Sequence, residues 1–240
     1  MKKILGIACA VAMAAPLAFG QASVFSQNAV GYVRVKVPGS GDLNLCRLDF
    51  LPLDPNVPNN VLNVIGDQLP VNSSVFIWDS TLNEGAGGYI PVTKGARAGW
   101  PSTGAGATEI DQGVAFWLQT PASDPNDYFV YLMGEVPGAN NDSESKTLAI
   151  SGAGLLDAVG YPFPAAIEFG NTTLADALPA NASVFFWDVD EQEYQPFTKG
   201  ARAGWSAAAE SWVIEPGSSF WVQNPGAPVD WTEAKPYPWP

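Results

Sequence analysis

The sequence predicts an all-β protein with one short helix per repeat, built as two tandem, pseudo-symmetric antiparallel units that are sandwich-like or barrel-like. Two observations carry that prediction. Alternating or doubly apolar runs of strand length dominate the chain and are separated by Gly and Pro turns. The same words also recur in the same order: Thr-Lys-Gly-Ala-Arg-Ala-Gly-Trp stands at 93–100 and again at 198–205. Around it, Leu69-Pro-Val-Asn-Ser-Ser-Val-Phe-Ile-Trp-Asp79 matches Leu178-Pro-Ala-Asn-Ala-Ser-Val-Phe-Phe-Trp-Asp188. Farther on, Asp111-Gln-Gly-Val-Ala-Phe-Trp-Leu-Gln119 matches Glu215-Pro-Gly-Ser-Ser-Phe-Trp-Val-Gln223. Asn44–Leu53 aligns more loosely with Leu156–Phe163. A repeat of this length implies one supersecondary unit used twice.

The elements follow in chain order. Residues 1–22 read as a secretory signal peptide: Lys2 and Lys3, an apolar run over Ile4–Ala14 too short to span a bilayer, Pro16, then small residues at Ala18, Gly20 and Ala22. The first unit covers 23–137. Val33, Val35 and Val37 alternate with Tyr32, Arg34 and Lys36, which predicts a strand with one wet face. Val61, Ile65 and Leu69 form a helical stripe stopped by Pro70, and in the second unit Leu174 and Leu178 do the same before Pro179, with Thr173 and Asp176 as capping box. Val75–Trp78 and Val184–Trp187 are apolar on both faces, as are Val114–Leu118 and Tyr128–Met133, which predicts strands covered on both sides. Pro38-Gly39, Gly87-Gly88 and Pro216-Gly217 mark turns. Residues 138–145 are polar and Gly-containing, a linker, and 146–240 form the second unit with a Pro-rich tail.

Composition narrows the partners. Losing Lys2 and Lys3 with the leader leaves 9 basic residues against 24 acidic ones, a net charge of −15. Such a surface repels nucleic acid and anionic lipid. No later apolar run reaches membrane-spanning length, so no membrane insertion is expected after cleavage. Cys46 is then the single cysteine, so no intramolecular disulfide is available. These features place the protein in a secreted or periplasmic compartment.

The motifs Gly160-Tyr-Pro-Phe163, Val184-Phe-Phe-Trp-Asp188 and Pro216-Gly-Ser-Ser-Phe-Trp-Val222, with the opening Ser26-Gln-Asn-Ala-Val-Gly-Tyr32, resemble uncharacterised exported β-repeat proteins of planctomycete and verrucomicrobial bacteria. The first unit departs from that pattern, with Asp49-Phe-Leu-Pro52 in place of the Gly-x-Pro strand. The resemblance implies export and a β fold, and it brings no activity with it.

Candidate chemistry is sparse. The chain contains no histidine, which removes Ser-His-Asp and Cys-His triads and the usual zinc ligand. Cys46, set among Leu43, Leu45 and Leu48, reads as a buried thiol. Glycoside hydrolysis needs two facing acids, for which Asp79, Glu109, Asp111, Glu135, Asp188 and Glu215 are the candidates, most of them at turns or strand ends. Asp188, Asp190 and Glu193 offer oxygen ligands at alternate positions for calcium, without the Gly and closing Glu of an EF-hand loop. No other cofactor is expected. The sequons at Asn72, Asn141, Asn171 and Asn181 read as turn composition.

Tryptophan is the stronger hint, with nine in the chain. Trp78, Trp117, Trp187 and Trp221 lie in strands, whereas Trp100, Trp205 and Trp212 follow or lie within Gly- and Ala-rich segments that read as loops. A loop Trp offers a ring face for a sugar or a protein partner. In that reading Lys94, Arg97 and Trp100, with Lys199, Arg202 and Trp205, form a two-copy ligand site. In the other reading the octapeptide is a clamp that pins each loop to the fold, with Arg97 stacked on Trp100 and Arg202 on Trp205. The expectation is a non-enzymatic envelope or extracellular protein with a structural or interaction role, its partner a protein or polysaccharide. The alternative is a pair of carbohydrate-binding modules using the loop Trp residues, and the third reading is an acid-pair glycoside hydrolase. One outcome is directly measurable: N-terminal sequencing of the exported protein should give Gln21 or Ser23 as first residue, from cleavage after Gly20 or Ala22.

Overall fold

The structure is a computed structural model and describes residues 29–79, 82–85, 87–110, 112–138 and 145–237. The leader at 1–22, most of the linker, Asp111, Asn141 and Trp239 lie outside the described residues. The all-β prediction holds. The first half contributes β1 (Val30–Val37), β2 (Leu43–Arg47), helix α1 (Val61–Val64), β3 (Ser74–Asp79), helix α2 (Leu82–Gly85), β4 (Gly88–Thr93), β5 (Ala115–Gln119) and β6 (Tyr128–Glu135). The second contributes β7 (Ser145–Ile150), β8 (Leu156–Val159), β9 (Ile167–Glu168), α3 (Thr173–Ala177), β10 (Ser183–Asp188), β11 (Glu193–Thr198), α4 (Ala207–Glu210), β12 (Val213–Ile214), β13 (Phe220–Gln223) and β14 (Val229–Ala234).

Each half holds one four-stranded antiparallel sheet, in the orders β2-β5-β3-β4 and β8-β13-β10-β11. Each also has a two-stranded ribbon, β1–β6 and β7–β14, and the second adds the short pair β9–β12. The ladders fix which residues correspond. Gln119 stands opposite Leu43 and Ser74, and Gln223 stands opposite Leu156 and Ser183. Leu43 therefore corresponds to Leu156, Arg47 to Gly160, Asp49 to Pro162 and Phe50 to Phe163.

The two-sided apolar strands now have a physical explanation. Val75 and Ile77 point into a core with Val92, Phe116, Leu118, Val130 and Leu132. Their neighbours Phe76 and Trp78 point the other way, into a separate cluster with residues of the second half. Val184 and Phe186 fill the second half's own core while Phe185 and Trp187 join that same shared cluster. Strand β6 departs from the expectation of cover on both sides. Val130 and Leu132 are buried, but Phe129, Tyr131 and Met133 are exposed. The β1–β6 ribbon caps its core on one face only, so its outer face, which also carries Val30 and Tyr32, stays wet, with Arg34 lying 4.4 Å above the Phe129 ring.

Helices α1 and α3 precede the central strand of their half, and the cap of α3 is Thr172, one residue before the expected Thr173. The Asn60 side chain accepts from Asn63 N, and the Thr172 side chain accepts from Ala175 N. Thr173 instead donates through N and Oγ1 to the buried Glu233 carboxylate, which also accepts from Trp231 Nε1. At the chain's end Tyr237 packs against both cores and its hydroxyl donates to Pro137 O at 2.6 Å. Tyr237 thus straps the junction.

One buried ion pair also joins the halves. Arg47 Nε lies 3.1 Å from Asp49 Oδ1, and both side chains are almost wholly enclosed. Arg47 donates to Gly160 O, and Asp49 Oδ2 accepts from Gly217 N at 2.5 Å. A Cβ at Gly160 would stand 2.6 Å from Ser218 O and 2.7 Å from Arg47 Cδ, so the large side chain at 47 requires none at 160. Burial pushes the Asp49 carboxyl up to about 6, more than the guanidinium and the Gly217 N–H pull it down. Between the unfolded carboxylate range and pH 6 the native state then holds a proton that the unfolded chain has lost. Stability from this group is therefore greatest at low pH and falls as pH rises toward 6. Subtracting the urea-unfolding stability of Asp49→Asn from that of the parent at pH 4, 5, 6 and 7 isolates it. The difference should decline from pH 4 to 6 and flatten above, and a difference that instead grows with pH would contradict the assignment.

Candidate functional site

Strands β3 and β5 of the first half and β10 and β13 of the second turn aromatic faces toward each other. Trp78 meets Trp221 edge to face, with centroids 4.7 Å apart and planes at 88°. Trp187 meets Trp117 in the same way, at 4.8 Å and 90°. Trp78 corresponds to Trp187 and Trp117 to Trp221, so the contacts are reciprocal, as at an isologous dimer interface. The polar edges are satisfied within each half: Trp117 Nε1 donates to Tyr89 Oη at 2.9 Å and Trp221 Nε1 to Tyr194 Oη at 3.0 Å. Alternation in strands β3 and β10 makes this possible, since every second side chain leaves its own core.

The octapeptide takes a different place. Gly95 and Gly99 bond each other through both N–H and C=O at 2.8 and 3.2 Å, and Gly200 and Gly204 repeat the pair at the same distances. Gly99 and Gly204 adopt φ of +66° and +70°, which a Cβ disfavours. This tight turn folds each Trp inward, so Trp100 is 2% and Trp205 7% exposed. Trp100 Nε1 donates to Gly66 O, just past α1, and Trp205 Nε1 to Ala175 O, within α3. Lys94 Nζ donates to Leu69 O and lies 3.1 Å from Asp67 Oδ1. Lys199 Nζ donates to Ala175 O, Asp176 O and Leu178 O and stands 6.0 Å from the centre of the Trp205 ring. Cation and indole together satisfy carbonyls in and just beyond the short helices. The expected ligand site at Lys94, Arg97, Trp100, Lys199, Arg202 and Trp205 is thus corrected: its two ring platforms face the interior. Arg97 and Arg202 are exposed, and neither stacks on its Trp among the described residues.

The suggested calcium ligands are also separated by their bonding. Asp188 Oδ1 accepts from Asp190 N and Glu191 N, closing the hairpin turn. Asp190 pairs with Lys36 of the first half at 3.0 Å, and Glu193 accepts from Gln195. No cluster of three metal-ligating side chains occurs among the described residues. Cys46 is buried and desolvation pushes its thiol up, away from the reactive thiolate.

Two concavities open at the seam. One, of about 320 Å³, is a mixed groove whose lining includes Arg34, Asn44, Trp187, Asp188, Trp212 and Glu215. Trp212 is half-buried there and stacks on Phe186 at 5.0 Å with planes 10° apart. Asp188 and Glu215 are the two sequence-named acids that share it, Asp188 Oδ1 being committed to the turn. The other, of about 400 Å³, is an apolar cleft lined by Trp78, Tyr89, Leu156, Phe185, Tyr194 and Trp221. Tyr89 and Tyr194 are each 40% exposed and Leu156 44%, so the cleft is open to solvent. Its signal in the sequence was the aromatic residue on the second face of each central strand.

The clamp geometry sets an expected outcome. Trp100→Ala and Trp205→Ala should each lower stability by about 3–5 kcal/mol in urea unfolding, as large buried rings do. Arg97→Ala and Arg202→Ala should change it by less than about 0.5 kcal/mol.

No protein-family model matches this chain, and no match to it was found among curated proteins or solved structures.

Proposed function

We propose that this is an exported, non-enzymatic binding protein of the cell envelope or extracellular space, and that it engages a protein partner at the aromatic seam. The observation that carries the reading is the open apolar cleft between the halves. On a chain of net charge −13, a concavity lined by five large aromatic side chains and Leu156 is a costly surface to leave wet. Tyr and Trp are the residues that most often anchor interfaces, since each offers a broad rigid face with a polar edge.

A polysaccharide is the second reading, and the mixed groove favours it. Trp212 supplies a ring face there, and Arg34, Asn44 and Glu215 supply hydrogen-bonding groups around it. Trp100 and Trp205, which face the interior, have no part in either reading.

Cosedimentation of the mature chain with isolated envelope material separates these. Retention should disappear when the envelope is treated with protease, and Leu156→Asp, which sets a charge in the cleft, should weaken it about tenfold. Retention that survives protease, yields to periodate and is lost in Trp212→Ala would move the function to the polysaccharide. Absence of retention from both treated and untreated envelope would overturn both readings.

A further inference from the structure

The two four-stranded sheets have four outer edges, and three of them are blocked. Strands β4 and β11 carry Pro91 and Pro196, which lack the N–H a pairing strand needs. Strand β2 is covered by the chain itself. Arg47 N donates to Gly217 O at 2.9 Å and Ser219 N to Leu45 O at 3.3 Å, so a stretch of the second half runs along it. At the end of that edge, Gln192 Oε1 accepts from Leu43 N at 2.7 Å and Gln192 Nε2 donates to Leu43 O at 2.8 Å. Trp187 Nε1 reaches the same carbonyl at 3.1 Å. The Gln192 amide sets its oxygen and one N–H on Leu43 as a neighbouring strand's peptide groups would, its second N–H going to Val189 O at 2.8 Å, so Leu43 is held as a ladder residue would be.

The fourth edge is β8. Leu156 corresponds to Leu43, and by the same register its N–H and C=O turn away from β13. No hydrogen bond covers them among the described residues, and Trp78 makes no bond to Leu156 of the kind Trp187 makes to Leu43. The sequence Leu156-Asp-Ala-Val159 carries neither Pro nor Lys to discourage pairing, and Asp157 is turned to Ser151. The Leu156 side chain is at once part of this edge and part of the apolar cleft.

We infer that β8 and the cleft together receive an extended peptide segment of a partner protein, which adds to the sheet through Leu156 and sets one apolar or aromatic side chain against Trp78, Tyr89, Tyr194 and Trp221. The inference rests on the proposed binding role and specifies its ligand. The corresponding edge shows the chemistry such an edge accepts, because the protein fills that one with its own amide groups. Strand addition draws affinity from backbone bonds and selectivity from the pocket beside them. The acidic surface favours segments with Lys or Arg flanking the apolar residue.

The test is selection of random linear decapeptides displayed on phage against residues 23–240, with affinities of the synthetic winners measured by calorimetry. Enriched peptides should share one apolar or aromatic residue. Methylating the backbone nitrogen beside it, or introducing Leu156→Pro in the protein, should each weaken binding about tenfold, while Gln192→Ala leaves it unchanged. The methylated peptides give the answer even if Leu156→Pro does not fold. Binding lost in Tyr89→Ala but indifferent to methylation would overturn strand addition and leave the cleft as the binding site. Failure to enrich any peptide, or binding indifferent to both protein variants, would overturn the binding role as well. A chain that dimerises in sedimentation and becomes monomeric as Leu156→Pro would make the occupant a second copy and overturn the partner segment.

Discussion

The reciprocal packing of Trp78 on Trp221 and Trp187 on Trp117 is the contact on which the arrangement of the halves depends. Neither four-stranded sheet has a polar second face to show to water, because Phe76, Trp78 and Trp117 crowd one and Phe185, Trp187 and Trp221 the other. Each sheet already seals a core on its first face. Burying the second pair of faces against each other removes that apolar area from water, and edge-to-face geometry adds about 0.5–1.5 kcal/mol per ring pair. The indole N–H groups of Trp117 and Trp221 would be costly if left unpaired there, and the tyrosine hydroxyls of Tyr89 and Tyr194 resolve that within each half.

Departures from reciprocity are what give the seam its sites. Arg47 and Gly160 occupy corresponding positions yet touch each other, and two long side chains would not fit where one does. The guanidinium stands on one side and the backbone is bare on the other, with Asp49 beside the charge and Pro162 at the matching position. At the two ends of the seam, turn length makes the difference. The short turn between β10 and β11 brings Gln192 onto Leu43, whereas β3 and β4 are joined by a longer connection containing α2. One edge is therefore closed from within and the other opens onto an aromatic cleft.

The surfaces outside the seam divide in the same way. The outer face of the β7–β14 ribbon shows Thr147 bonded to Thr232, small and polar, while the β1–β6 ribbon shows Tyr32, Phe129, Tyr131 and Met133. The exposed apolar ribbon belongs to the first half, the cleft draws on both, and the second half supplies the two carboxylates of the mixed groove, Asp188 and Glu215.

The amino-acid order alone determined the β class, the central apolar strands, the short helices ahead of them, the acidic surface and the absence of histidine chemistry, because periodicity, turn residues and composition are local properties. It also held the octapeptide's two readings without a means to separate them. Gly and Ala around Trp100 look like an exposed loop in one dimension. In three, the Gly95–Gly99 pair tightens that loop until the indole reaches Gly66 O, a partner thirty-four residues away. The roles of Trp78 and Trp187 were half legible: their alternation requires cover on both faces, but only the tertiary structure decides that the cover is the other half of the chain. The cleft beside Leu156 left only the second-face aromatic residues as its trace in the sequence, since it exists through a difference between two corresponding turns and through side chains contributed by separate sheets. Local pattern sets what each strand must bury; which surfaces meet, and where they fail to close, is settled by packing between residues far apart in sequence.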